Sequence, residues 1–128
     1  MIAALLGLLV AAQSAPAPDR WVQFESNDVG AGYIDAATVE VSGDIRRAWE
    51  RIEYHDPRDG VASVLGQFEI NCAARTSRIL SATLRDRDGR TLSSDTSPGE
   101  VESIPPESNW EHLLTLLCRP GGIEAPAA

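Results

Sequence analysis

The sequence has no lysine, only two cysteines, few aromatic residues and no long apolar segment. A membrane-spanning helix needs about 20 apolar residues, whereas the apolar run near the start covers only residues 2–12. Because the net charge is −8, the chain lacks the clustered positive charge that a nucleic-acid partner requires. Two cysteines without a Cys-x-x-Cys spacing supply too few ligands for zinc. We therefore predict no stable membrane span, no metal and no cofactor.

Motifs of known enzyme classes are absent as well. The sequence has no Gly-x-Ser-x-Gly, no His-Glu-x-x-His, no P-loop and no dinucleotide fingerprint. His55 stands beside Asp56 in a predicted loop, but adjacent residues on an extended chain point apart, so ordinary loop polarity is favoured over a catalytic pair. His112 lies off the apolar stripe of a predicted helix and is expected on its solvent side. No catalytic residue is predicted.

The N-terminal residues predict export. The apolar run has the length of a signal-peptide core, and the small residues Ala12 and Ser14 favour cleavage before Ala15, with cleavage before Gln13 as the alternative. Residues 1–14 are therefore expected to be a cleaved signal peptide. No basic residue precedes the run, and a buried N-terminal helix is the alternative. Residues 15–20 are expected to be a linker, residues 21–119 one domain outside the reducing cytosol, and residues 120–128 a disordered tail.

Short segments of alternating polarity predict an antiparallel, meander-like sheet of about six short strands. Gly30 and Gly32 are expected to bracket a turn, and residues 55–60 (HDPRDG) to form a hairpin loop. Asp88-Gly89 is typical of a tight hairpin rather than of a calcium loop. Two strands should turn an apolar side to the core, carrying Val64, Gly66, Phe68, Ile70 and Cys72 on one and Leu80, Ala82 and Leu84 on the other.

One helix is predicted near the C-terminus. Ser108 and Glu111 form a capping box before an apolar stripe, and such a short helix is marginal alone, so it must dock on the sheet. The stripe consists of Trp110, Leu113, Leu114, Leu117 and Cys118. Because Cys118 and Cys72 both face the core and an exported chain forms disulfides, we predict a Cys72–Cys118 bridge. The fold class is therefore α+β, with the helix packed on one face of the sheet.

Trp49 is the candidate contact residue. It faces away from Ala48, Ile52 and Tyr54 on the same strand, and an aromatic side chain exposed on the second face would mark a contact surface. Coverage by a loop or a crossing strand is the alternative. Two groups of arginines are expected along solvated strand edges, with a binding patch as the alternative; they are Arg46, Arg47, Arg85, Arg87 and Arg90.

The order and spacing of these features resemble the surface-adhesin protein E family of Gram-negative envelope proteins. The resemblance covers residues 21–118 and rests on Trp21, the Tyr33-Ile34-Asp35 step, Trp49, residues 63–72 (SVLGQFEINC), Arg78, Gly89, and residues 105–108 (PPES) leading to a helix that ends at Cys118. It implies an antiparallel sheet crossed by the helix, the Cys72–Cys118 disulfide and a periplasmic or extracellular location. The name-giving members are outer-membrane adhesins that bind host matrix and plasma proteins.

These observations favour a non-enzymatic, exported binding module of the periplasm or cell envelope whose partner is an unidentified envelope protein. A structural accessory subunit of an envelope complex is one alternative, and a small periplasmic enzyme with an unrecognised site is another. The oligomeric state does not follow from the sequence.

Overall fold

The computed structural model describes residues 20–120, which form an α+β fold of one antiparallel sheet and one helix. The predictions for residues 1–19 and residues 121–128 lie outside the described residues. None of the helices within residues 20–120 is long and apolar enough to cross a membrane. The elements are β1 (Trp21–Ser26), β2 (Gly30–Asp35), a 3₁₀ turn (Ala36–Thr38), β3 (Glu40–Ser42), β4 (Ile45–Arg58), β5 (Val61–Asn71), β6 (Thr76–Arg85), β7 (Thr91–Asp95), β8 (Glu102–Ser103) and α1 (Asn109–Cys118).

The sheet has eight strands rather than about six. Six of them follow the order β1-β2-β4-β5-β6-β7, which is a meander, while β3 pairs with β4 and β8 pairs with β6. All pairs are antiparallel. The prediction missed β8 because a two-residue strand between prolines gives no alternation to read.

Two predicted turns are misplaced. Gly30 and Gly32 lie within β2, and the turn precedes them, where the Asn27 side chain accepts hydrogen bonds from the backbone N–H groups of Val29 and Gly30. Gly30 is required by close packing, since a Cβ there would lie 2.1 Å from the backbone oxygen of Glu53.

The predicted loop at residues 55–60 is likewise mostly strand. β4 continues to Arg58, with its pairing to β5 irregular after Glu53. The reversal uses only Asp59 and Gly60, which have φ values of 52° and 81°. Positive φ at both central residues is the signature of a type I′ hairpin, for which Asp-Gly is a preferred pair.

The core lies between α1 and one face of the sheet, called here the helix face. Its largest fully buried side chains come from β2, β5 and α1, and the buried cluster consists of Phe24, Ile34, Ala48, Phe68, Ile70, Ile104, Leu113, Leu114 and Leu117. The predicted alternation of β5 is confirmed, because Gly66, Phe68 and Ile70 are buried. Leu80, Ala82 and Leu84 are only partly buried, since the β5–β6 register shifts near Leu80 and the core cluster ends short of that region.

The N-terminal end of α1 is capped locally, and its C-terminal end is attached to the sheet. Ser108 Oγ accepts from the backbone N–H of Glu111 at 3.2 Å, and the Glu111 carboxylate accepts from the backbone N–H of Glu107 at 2.9 Å. At the other end, Cys118 forms a disulfide with Cys72, with a Cα–Cα distance of 5.7 Å. Arg46 Nε donates to the Leu117 carbonyl oxygen at 3.1 Å, satisfying a backbone acceptor that helix geometry leaves unpaired.

Candidate functional site

No helix among the described residues covers the second face of the sheet, called here the open face. In antiparallel pairs, directly opposed residues lie on the same face. Tyr33 is opposite Arg51, and Arg51 is opposite Leu65. Trp21 and Trp49 belong to the same face by alternation along β1 and β4. The meander therefore gathers onto one surface side chains that are up to 44 positions apart in the sequence.

Arg51 is held between two aromatic rings of the open face. Its guanidinium carbon lies 4.8 Å from the ring centroid of Trp21 and 4.8 Å from that of Tyr33. Arg51 Nε is 3.1 Å from a carboxylate oxygen of Glu53, but this buried nitrogen makes no hydrogen bond with the described residues. The two rings fix the orientation of a planar cation that is still one-third exposed.

A shallow cleft of about 290 Å³ opens beside this stack. Its lining consists of Arg20, Trp21, Asp35, Thr38, Trp49 and Leu65. Trp49 is partly buried in it, so the predicted contact residue is neither fully exposed nor covered by a crossing strand. Small-molecule sites commonly exceed this volume and enclose their ligand, whereas this cleft is small and open.

An ion pair neutralises the edge of the cleft. Arg20 Nε donates to Asp35 at 2.8 Å, and Asp35 also accepts from the Thr38 hydroxyl at 2.9 Å and from the Ala37 N–H at 3.0 Å. Burial alone would raise the pKa of the Asp35 carboxyl, but these hydrogen bonds outweigh burial and hold the pKa below its ordinary value. The carboxylate therefore stays ionised and hydrogen-bonded to Arg20, Ala37 and Thr38.

A second acidic group lies on the helix face. Glu50 is opposite Ile34 on one side and Gly66 on the other, both of which are buried. Burial raises the pKa of the Glu50 carboxyl to about 7, and the negative charge of Glu25 adds to this effect. Within residues 20–120 it has no hydrogen-bonding or ion-pair partner.

Neither histidine lines the cleft, and each makes a contact of its own. His55 is exposed and its Nε2 lies 3.0 Å from the Asn27 carbonyl oxygen, while His112 is exposed at the edge of the Phe24 ring. Across residues 20–120 no three His, Cys, Asp or Glu side chains are grouped so that they could hold a metal ion. Asp86 accepts from the backbone N–H groups of Asp88 and Arg90, which closes the predicted hairpin.

Arg46 and Arg47 were expected at strand edges, but both lie on a strand that is paired on its two sides. Arg46 caps α1, and Arg47 forms an ion pair with Glu69 on the neighbouring strand at 2.9 Å. Both belong to β4, which is central rather than peripheral.

The sequence prediction named Trp49 and missed the stack of Trp21, Tyr33 and Arg51. One signal was available: Arg51 is two residues from Trp49 and therefore on the same face of the strand. The contribution of Tyr33 depends on the β2–β4 register, which no local pattern reveals.

Comparisons with known proteins agree with this architecture. The family model of surface-adhesin protein E matches residues 21–119. Two structures of Haemophilus influenzae protein E superpose with TM-scores of 0.60 and 0.59 at 18% and 17% identity. The first alignment covers 84% of this chain and 96% of that protein, and the second covers 82% and 90%.

A structure of protein E from non-typeable Haemophilus influenzae gives a TM-score of 0.58 at 17% identity, covering 84% of this chain and 82% of that protein. No protein with a curated description matches the chain in sequence. At these identities the superpositions support the fold alone, while the family model spans nearly the whole described domain. The chain belongs to the surface-adhesin protein E family.

Proposed function

We propose that this chain is a non-enzymatic binding module of the cell envelope that contacts a protein partner through the open face of its sheet. The observation that carries the proposal is the Arg51 guanidinium fixed between Trp21 and Tyr33, beside the cleft that contains Trp49. Trp, Tyr and Arg are the residue types that dominate binding energy at protein interfaces. Membership of a surface-adhesin family makes the chain an exported protein, which supports a binding role.

The Arg51 side chain is already oriented by Trp21 and Tyr33 before a partner binds, and this favours binding. Holding a flexible side chain in one geometry costs conformational entropy, and here the two rings have already restricted that freedom in the unbound protein. The planar fork retains donors that can reach a carboxylate or a backbone carbonyl of a partner. Trp49 and Leu65 supply apolar surface next to that polar contact, so a partner can bury an apolar side chain and satisfy an acceptor together.

The test begins with the exported protein as immobilised bait against an envelope extract, followed by measurement of Kd for the purified partner. Trp49→Ala should weaken binding at least about tenfold, which corresponds to about 1.4 kcal/mol. Arg51→Ala should weaken it similarly. Thr83→Ala is the matched control, because Thr83 lies opposite Leu65 on the same face but outside the cleft, and it should leave Kd unchanged. Equal affinity for wild type, Trp49→Ala and Arg51→Ala would exclude the open face as the contact surface.

A structural accessory subunit is the second candidate function, favoured by the apolar side chains at Trp49 and Leu65. It predicts recovery with other envelope proteins in fixed stoichiometry and loss of those proteins when the chain is deleted. A binding module predicts a saturable partner whose own stability does not depend on this chain.

A further inference from the structure

We propose that the open face recognises an extended peptide segment of its partner in which an aspartate or glutamate stands two positions from an apolar residue. Arg51 binds the carboxylate, and the cleft lined by Trp49 and Leu65 takes the apolar side chain. The inference rests on the proposed contact at the open face and adds the chemical class of the segment that binds there.

The Arg51 guanidinium has donors that the described protein does not use. A guanidinium carries five N–H groups, and those of Arg51 form no hydrogen bond with residues 20–120. Its contacts with the Trp21 and Tyr33 rings position the cation without using an oxygen acceptor. The donors therefore remain available to a partner, on a side chain whose orientation is already set.

The carboxylates of the chain itself leave these donors free. Arg20 and Arg47, on the same face, each donate a hydrogen bond to an acidic side chain of the chain. The acidic neighbour of Arg51 is Glu53, whose carboxylate oxygen lies 3.1 Å from Nε yet accepts no hydrogen bond from it. A carboxylate that approaches the two Nη groups can form the bidentate pair that arginine favours. Arg51 is thus suited to an acidic group from outside the chain.

The spacing of Arg51 and Trp49 sets the spacing of the ligand. They stand two residues apart on β4, so they share a face and their Cα atoms are separated by about 7 Å. Side chains two positions apart on an extended peptide have the same separation and also share a face. Leu65 is directly opposite Arg51 and lines the cleft, so the two contacts adjoin. One segment lying along β4 can therefore make both contacts together.

Tripeptides with acetylated N-termini and amidated C-termini serve as probes, because their ends carry no charge. Glu-Ala-Leu has both groups, Gln-Ala-Leu lacks the carboxylate, and Glu-Ala-Ala lacks the large apolar side chain. The indole N–H resonances of Trp21 and Trp49 are followed by NMR during each titration, with Trp110 as reference because it packs against Phe68 on the helix face. Glu-Ala-Leu should give saturable shifts with Kd in about the millimolar range. Each of the other two peptides should bind at least about fivefold more weakly.

Two variants test the role of Arg51. Arg51→Lys keeps the positive charge but loses the planar fork, so it should weaken Glu-Ala-Leu binding at least about fivefold and affect Gln-Ala-Leu less. Glu53→Gln removes the carboxylate that competes for Arg51, at a side chain that is half exposed, and should strengthen Glu-Ala-Leu binding. Arg47→Lys is the matched control, because Arg47 lies on the same face of β4 and its Nε already donates to Glu69. It should leave the three Kd values unchanged.

Equal Kd values for Glu-Ala-Leu and Gln-Ala-Leu, or no saturable shift with Glu-Ala-Leu, would overturn the proposal. Glucuronate is titrated in the same way as an acidic sugar, and tighter binding of glucuronate than of Glu-Ala-Leu would also overturn it, in favour of a glycan. These measurements contain no partner, so they are independent of the effect of Trp49→Ala on partner binding. If Trp49→Ala weakens partner binding while the peptides do not discriminate, the proposed contact stands and the acidic segment is rejected.

Discussion

Replacing Glu50 by glutamine should stabilise the protein, most strongly above neutral pH. Glu50 lies on the helix face between Ile34 and Gly66, and its carboxyl has a pKa of about 7 against an ordinary value of 4.5. The folded protein therefore retains a proton that the unfolded chain releases between pH 4.5 and pH 7. Because the unfolded state binds fewer protons in that range, the free energy of unfolding falls as pH rises through it.

The size of the effect follows from the pKa difference. A difference of about 2.5 units corresponds to roughly 3 kcal/mol once the pH is well above 7. Part of that loss already occurs below pH 5, so the wild-type protein should lose about 2–3 kcal/mol between pH 5 and pH 8 from this group. Glutamine has nearly the same shape and does not titrate, so Glu50→Gln should remove that loss.

Urea unfolding of wild type and Glu50→Gln at pH 5, 6, 7 and 8 measures the effect directly. The control is Glu40→Gln, because Glu40 is an exposed glutamate on β3 and lies outside the buried core cluster. The two curves for wild type and Glu50→Gln should diverge with rising pH. Parallel curves, with the same decline in stability in both proteins, would show that Glu50 is not the group that titrates and would refute the reasoning.

Two further predictions concern the disulfide and the hydrogen bonds of Asp35. Replacing Cys72 and Cys118 by alanine opens a loop with a sequence separation of 46 and should lower the free energy of unfolding by about 2–4 kcal/mol. Calorimetry should then show a melting temperature lower by about 10–20 °C, and an unchanged melting temperature would contradict this prediction. Asp35→Asn should cost about 2 kcal/mol at pH 7, because it weakens the hydrogen bonds from Arg20, Thr38 and Ala37. Because the pKa of Asp35 is lowered in the folded protein, the difference in the free energy of unfolding between wild type and Asp35→Asn should shrink as pH falls below about 3.8. Denaturant unfolding down to pH 2 measures this difference, and a constant value would contradict the prediction.

Features encoded locally could be predicted from the sequence. The capping residues and apolar stripe of α1 lie within eleven consecutive residues, and the structure has the helix where the pattern placed it. The alternation of β5 identified Phe68 and Ile70 as core residues for the same reason. The disulfide followed because two separate periodicities, one helical and one extended, turned Cys118 and Cys72 toward the same core.

Features that depend on register could not be predicted in this way. The β1–β2 register shifts between Gln23 and Glu25, and the β5–β6 register shifts between Gln67 and Phe68. Each shift changes which side chains oppose one another without leaving a clear mark in composition. Leu80 lies at the second of these shifts and is only partly buried, so the alternation of β6 did not predict its burial in full. Pro57 was taken for a turn residue because the irregular end of β4, which accommodates a proline, cannot be distinguished from a loop by local propensity.

The alternation of β4 explains why stability and binding can occupy different sides of one sheet. Ala48 and Glu50 lie on the face that α1 covers, whereas Trp49 and Arg51 lie on the other. The disulfide and the Arg46 cap attach α1 at the helix face, so they stabilise the sheet without using any residue of the open face. Trp49 and Arg51 contribute nothing to the buried core cluster, yet Arg51 is ordered by two aromatic side chains and Trp49 lines a cleft. A cation stacked between two rings beside an uncovered apolar cleft is difficult to explain by folding stability alone, and this is the physical reason for seeking the partner contact there.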